Sequence, residues 1–165
     1  MSSSSSSAYP ATPQRKHPNI AITGTPCVGK TSLARALVSR VPSLHLLDLS
    51  AAAETHSARI AYDDALATWE IDEELLASSL SPALSRDGGA VLDWMHADFW
   101  DEGLLDLVVT LRADNAVLWR RYEARGYPDA KVQENIDAEI MGHRRGEQGV
   151  LWRRRGLAAR VAERD

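Results

Sequence analysis

The chain has 165 residues, a mass of 18.1 kDa and a formal net charge of −4. That length suits one compact domain, and 44 % hydrophobic with 25 % charged residues is a globular composition, which excludes a disordered chain. No run approaches the roughly 18 apolar residues of a membrane span, and one cysteine, Cys27, excludes an internal disulfide and fits a reducing compartment.

Residues 1–17 read as a disordered Ser/Pro-rich leader without the apolar segment of a secretory signal. Ile20 to Ile22 then forms a short apolar run that suits a buried parallel strand. Gly24-Thr25-Pro26-Cys27-Val28-Gly29-Lys30-Thr31 fits the phosphate-binding pattern GxxxxGK[ST] and opens an amphipathic helix. Glycines let the backbone curl its amides inward, and the helix start adds unpaired N–H groups and its positive end. Lys30 supplies a charge between phosphates, and the Thr31 hydroxyl is a magnesium ligand in such loops. Cys27 is read as a small loop filler, with a reactive thiol as the competing reading.

Leu33, Ala34, Leu37 and Val38 recur at helical spacing, Pro42 ends that helix, and Leu44–Leu47 is a second strand candidate. Residues from Ser50 to Ser81 read mostly as helix, with Asp72 capping a second segment that buries Leu75, Leu76 and Leu80. Asp87-Gly88-Gly89 is a turn into the strand Ala90–Leu92, which ends in Asp93. An acidic residue at that strand end is the expected magnesium-water ligand opposite Thr31, with strand-end capping as the alternative. His96 is read either as positioning water or phosphate or as structural, and Asp98 as a helix cap. Leu107–Leu111 is a β-branched strand followed by Arg112. Asp114 and Asn115 cap a helix with Val117, Leu118 and Tyr122 on one face. Arg125-Gly126-Tyr127-Pro128 breaks it before a helix through Asn135, Ile136, Ile140 and Met141. An arginine at such a break can close on transferring phosphates, and a solvated helix end is the competing reading.

Strands alternating with helices, with ligand groups at the strand ends, predict a three-layer α/β P-loop nucleotide-kinase fold with a parallel sheet flanked by helices. Excursions near Ser50–Ala67 and Arg125–Asn135 fall where covers over the site belong, as a kinase needs to exclude water. A guanine-reading NKxD motif is absent, which argues against a switch GTPase.

The stretches NIAITGTPCVGKTSLA, YDDALATWEIDEELL, GGAVLDWMHADFW, DLVVTLRADNAVLWRRYEARGY and KVQENIDAEIM resemble the small eukaryotic adenylate kinase isoenzyme 6 family. The resemblance implies a core at 18–141, with the monophosphate-binding region in 50–81 and a short lid at 125–135. It implies ATP and magnesium binding, phosphorylation of AMP, ATPase activity and a place in small ribosomal subunit maturation. The partner it implies is a small-subunit ribosomal protein, in nucleus and cytoplasm; contact with pre-ribosomal RNA is a separate expectation from the tail's arginines, and the composition predicts no membrane partner. By position, Gly24, Thr25, Pro26, Cys27, Val28, Gly29, Lys30 and Thr31 would hold ATP phosphates, Thr31 and Asp93 the metal, and Lys30, Asp93 and Arg125 would be catalytic. Arg112 and Arg121 are weaker candidates.

Three positions depart from the family. Met95 stands where its histidine belongs, with His96 one residue later. Glu54 falls at the ungapped match to a basic monophosphate-binding residue, with Arg59 the nearest positive group. The segment 142–165 reads as an atypical basic tail, in which the last core strand is missing or abbreviated to Val150-Leu151-Trp152. Its loss would leave an open sheet edge, and the tail's arginines either bind RNA or are solvated. Met95 and Glu54 favour a second expectation, an ATP-gated assembly factor with little AMP kinase activity.

Overall fold

The computed structural model describes residues 15–101, 103–144, 151–154 and 157–160. Along them run β1 (Ile20–Thr23), α1 (Lys30–Arg40), β2 (His45–Leu47), α2 (Leu49–Thr55), β3 (Arg59–Asp63), β4 (Thr68–Ile71) and α3 (Glu73–Arg86). There follow β5 (Ala90–Asp93), β6 (Leu107–Thr110), α4 (Asn115–Ala124), α5 (Asp129–Arg144), β7 (Leu151–Arg154) and β8 (Leu157–Arg160). The main sheet has the order β2-β5-β1-β6-β7-β8, and its first four strands are parallel.

Alternation along β1 and β5 divides the core between the two faces of that sheet. Ile20, Ile22 and Val91 pack with Ala34 of α1, while Ala21 and Leu92 pack with Leu49 and Ala53 of α2 and Leu76, Leu80 and Leu84 of α3. Helices on both faces make the three layers that the sequence predicts. Asp72 caps α3 by accepting from the Leu75 amide at 2.9 Å. Pro82 lies inside α3 and costs about 3 kcal/mol. Burial of Leu76, Leu80 and Leu84, at about 2 kcal/mol each, outweighs it. Leu75, expected on the buried side, is 40 % exposed, because the buried face follows the spacing 76, 80, 84.

Asn19 joins the sheet to both flanking elements and is wholly buried. Its Nδ2 donates to Leu84 O at 2.9 Å and Leu104 O at 2.8 Å, and its Oδ1 accepts from the Ala90 amide at 3.1 Å. Arg15, counted with the leader in the sequence, belongs to the fold. Its guanidinium pairs with Asp106 at 2.9 Å and donates to Gly103 O, and the side chain is 2 % exposed. The remainder of the leader, 1–14, lies outside the described residues.

One further expectation is corrected. The predicted helical stretch from Ser50 to Ser81 is interrupted by a hairpin, β3–β4. The chain leaves α2 through Ser57 at φ 57° and returns through Ala67 at φ 46°. Asp63 Oδ1 closes the turn by accepting from the Ala65 and Leu66 amides at 2.8 and 2.9 Å. Tyr62 and Trp69 face each other across the strands with ring centroids 5.3 Å apart, a pair worth about 1 kcal/mol. The hairpin pairs with no strand of the main sheet and most of its side chains are exposed, so no in–out alternation marks it in the sequence.

Of the two alternatives for the last core strand, missing or abbreviated, the abbreviated one holds, with a four-residue β7 continuing the sheet beyond β6. β7 pairs antiparallel with β6, Leu107 opposite Arg154 and Thr110 opposite Leu151, and β8 pairs with β7. Backbone pairing needs no particular side chains, so an arginine-rich segment with little strand character still completes the ladder. α5 runs on to Arg144, past the expected start of the tail. Val150 of the abbreviated strand lies outside the described residues. No helix among the described residues is long and apolar enough to cross a membrane.

Candidate active site

The loop between β1 and α1 is built by side chains that take up its carbonyls. Lys30 Nζ donates to Gly24 O at 2.8 Å and Thr25 O at 3.0 Å. Two residues of α4 take the next two carbonyls: the Tyr122 hydroxyl donates to Pro26 O at 3.0 Å and Arg121 Nη1 to Cys27 O at 2.7 Å. A trans peptide sets its N–H opposite its C=O, so these bonds turn the amides of Cys27 and Val28 to the side away from α4. That is the geometry of an anion-binding nest. Burial pushes the Tyr122 phenol up to about 12, so it remains a donor through the neutral range.

Special backbone conformations hold the curl. Gly24 has φ 132°, and a Cβ there would lie 2.4 Å from Leu111 O. Gly29, at φ 108°, caps α1 with nothing within 4 Å of a would-be Cβ. Cys27 occupies the left-handed region at φ 67°, and its buried side chain packs with Val28, Leu118 and Tyr122. The thiol thus fills the base of the loop.

Thr31 and Asp93 meet across the end of the sheet, the threonine hydroxyl donating to the Asp93 carboxylate. The β1–β5 register, Ile22 opposite Asp93, brings the carboxylate beside the start of α1. Burial lowers the Lys30 pKa and the Asp93 charge opposes that shift. Arg125, at the C-cap of α4, donates to the Tyr127 hydroxyl at 3.3 Å, and that bond raises its pKa.

Two cavities open at these residues. One of about 470 Å³ is lined by Pro26 through Ser32 with Asp93, Arg121 and Arg125. The other, of about 740 Å³, lies under the hairpin and receives Arg35, Arg59, Trp69, Glu70, Trp94 and Met95 among its lining. Lys30, Thr31 and Asp93 line both.

Residues 20–142 match the AAA domain family. The chain is 41 % identical over 129 residues to the adenylate kinase isoenzyme 6 homolog FAP7 of Saccharomyces cerevisiae, covering 78 % of this chain and 65 % of that protein. It is 39 % identical over 128 residues to the adenylate kinase isoenzyme 6 homolog of Schizosaccharomyces pombe, covering 78 % and 72 %. The chain belongs to the adenylate kinase isoenzyme 6 family. It spans less than two thirds of some members, 65 % of FAP7 and 55 % of the Candida albicans homolog HBR1.

For an isoenzyme 6 family member, the departures seen in sequence take on definite positions. Met95 lines the larger cavity, and its carbonyl accepts from the Gly24 amide at 3.0 Å. His96 does not take its place. Its ring lies between Asp98, 2.5 Å from Nδ1, and Glu73, 3.2 Å from Nε2, and the bond to His96 lowers the Asp98 pKa. Asp98 therefore serves His96, and no helix begins there. Glu54 is not among the cavity-lining residues. It pairs with Arg59 at 3.2 Å, and Arg59, whose guanidinium lies 5.3 Å from the Trp69 ring centroid, is the one that lines the cavity.

Arg112, a weaker candidate in the sequence, lines neither cavity, because it is nearly buried against Glu139 at 3.3 Å. Arg121 lines the smaller cavity while holding the loop. Arg35, Trp69 and Glu139 were not singled out in the sequence. Arg35 had a legible signal, since it stands four residues after Thr31 and so shares its helix face. Trp69 had none, because its position depends on a hairpin that the sequence reads as helix.

Proposed function

We propose that the chain is a magnesium-dependent nucleoside monophosphate kinase that passes the γ-phosphoryl group of ATP to AMP, giving two ADP. The observation that carries this reading is the pair of cavities sharing Lys30, Thr31 and Asp93. A hydrolase or switch protein needs a single nucleotide site, whereas a transferase needs two that converge on the transferring group. The loop amides and Lys30 would hold the ATP phosphates in the smaller cavity, with Arg121 and Arg125 beside them. Arg35 and Arg59 would meet the monophosphate in the larger one. The protein's work is then positioning and neutralisation, with no residue required as a general base.

The oxygen donors at the junction fit magnesium. It favours one or two protein oxygens completed by phosphates and waters, and Thr31 and Asp93 supply a hydroxyl and a carboxylate. Among the described residues no cluster of three or more His, Cys, Asp or Glu offers a self-sufficient metal cage. When bound, the ion would neutralise charge on the phosphates; the chain's own part is to orient them through the loop.

ADP formation followed with and without AMP tests the reading, and the expected result is a rate that rises and saturates with AMP. Arg59→Ala is expected to raise KM for AMP about tenfold with KM for ATP unchanged, as loss of one charge-assisted phosphate contact does. Equal effects on both substrates would contradict the assignment of the larger cavity.

A second reading is favoured by Met95 alone. A thioether on the wall of the larger cavity cannot hydrogen-bond phosphate or water as an imidazole can. On that reading the chain is an ATP-hydrolysing assembly factor of the small ribosomal subunit, acting in nucleus and cytoplasm on a ribosomal protein or pre-ribosomal RNA. ADP release indifferent to AMP would select it.

A further inference from the structure

We infer that Glu139 is a positioning residue for nucleotide binding and acts through Thr25; this rests on the reading of Gly24–Thr31 as the ATP phosphate loop. α5 packs beneath the loop, with Val132 and Ile136 against Cys27 and Val28. On that buried face Asn135 and Glu139, one turn apart, are polar. Glu139 is wholly buried, and a buried carboxylate is costly unless bound on several sides. Its Oε2 accepts from the Thr25 hydroxyl at 2.7 Å. Arg112 Nη1 stands 3.3 Å from its Oε1 and donates to the Glu139 carbonyl at 3.3 Å.

Thr25 is therefore held through its hydroxyl, which also meets the Tyr122 hydroxyl, and through its carbonyl. Its hydroxyl is bound to α5 and its carbonyl to Lys30. A phosphate that attracts Lys30 removes the second of these bonds and leaves the first. The Glu139–Thr25 bond then keeps the loop in its curled form at the moment the lysine leaves it. Stability alone gives no reason for an ion pair here, since well-packed apolar residues in place of a buried pair are often neutral or stabilising. A carboxylate acceptor for the loop hydroxyl does give one.

The test is ATP–magnesium affinity by calorimetry on the full chain, with AMP affinity and a thermal melt for each variant. Thr25→Val removes the donor at nearly constant volume and is expected to weaken ATP binding about tenfold, the loss of one hydrogen bond to a charged group. Thr25→Ser keeps the hydroxyl and is expected to restore affinity to within about twofold, with AMP binding unchanged throughout. Glu139→Gln, which substitutes a weaker neutral acceptor, is expected to weaken ATP binding about threefold alone. Added to Thr25→Val it should cause no further loss of ATP affinity, because the bond through which it reaches the loop is already gone, while the Arg112 pair it also alters is read in the thermal melt. Wild-type protein that binds ATP while both Thr25→Val and Glu139→Gln bind it equally well, whatever their melting temperatures, overturns the inference. Wild-type protein that melts cooperatively but takes up no ATP overturns the loop assignment beneath it.

Discussion

Lys30→Met is expected to reduce AMP-dependent ADP formation about 10³-fold while leaving a cooperative thermal melt near that of the wild type. The two halves of this expectation have separate causes. Among the described residues Lys30 is the cation common to both cavities, and so the one placed to accompany charge as it moves from one nucleotide to the other. Methionine fills similar space with no charge, and neither Arg121 nor Arg125 lines the larger cavity to replace it. The fold should tolerate the change because opposing effects nearly cancel. Burial already disfavours the ammonium, so its removal relieves desolvation, while the carbonyls of Gly24 and Thr25 lose a donor. Coupled assay and melt together decide the matter: unchanged turnover in a folded variant would refute the mechanism.

Gly24→Ala should be the most destabilising single-methyl change in the loop, lowering the melting temperature by about 10 °C. Two effects add at this position. An L-residue at φ 132° is strained, and its Cβ would sit 2.4 Å from Leu111 O. Leu111 cannot retreat freely, because its amide donates to Thr23 O at 2.8 Å and continues the β1–β6 ladder. The combined effect is about 3 kcal/mol or more. Gly29→Ala is the control. At φ 108° it suffers the conformational strain, but nothing lies within 4 Å of its Cβ, so about 1–2 kcal/mol is expected. Equal shifts in the two variants would show that backbone strain, and not the Leu111 carbonyl, sets the requirement for glycine at position 24.

The phosphate loop was legible because its chemistry is contiguous: eight residues, flanked by a strand and a helix, carry both the conformational freedom and the charge. Asp93 was legible for a related reason, as a carboxylate that ends an apolar strand. The helix caps Asp72 and Asp114 are legible too, since a cap is a bond between near neighbours. The β3–β4 hairpin is not legible because most of its side chains are exposed, and alanines upstream favour helix. Met95 and His96 could be told apart in sequence as neighbours but not assigned. Which of them lines the cavity depends on tertiary contacts, since the imidazole is held between Asp98 and Glu73 of α3.

Charge pairing was the least accessible property. Glu54 in isolation predicts repulsion of a phosphate, yet Arg59 holds it at 3.2 Å and itself lines the cavity. Arg112 looks available at a strand end, yet α5 brings Glu139 against it. The three-layer class and the phosphate-binding loop follow from the chain order, because hydrophobic period and loop conformation are local properties of the backbone. The second cavity and the support beneath the loop follow from tertiary packing. The cavity needs Arg35, Arg59 and Trp69 to arrive from α1, β3 and β4, the support needs Glu139 to arrive from α5, and no spacing along the chain encodes either arrangement.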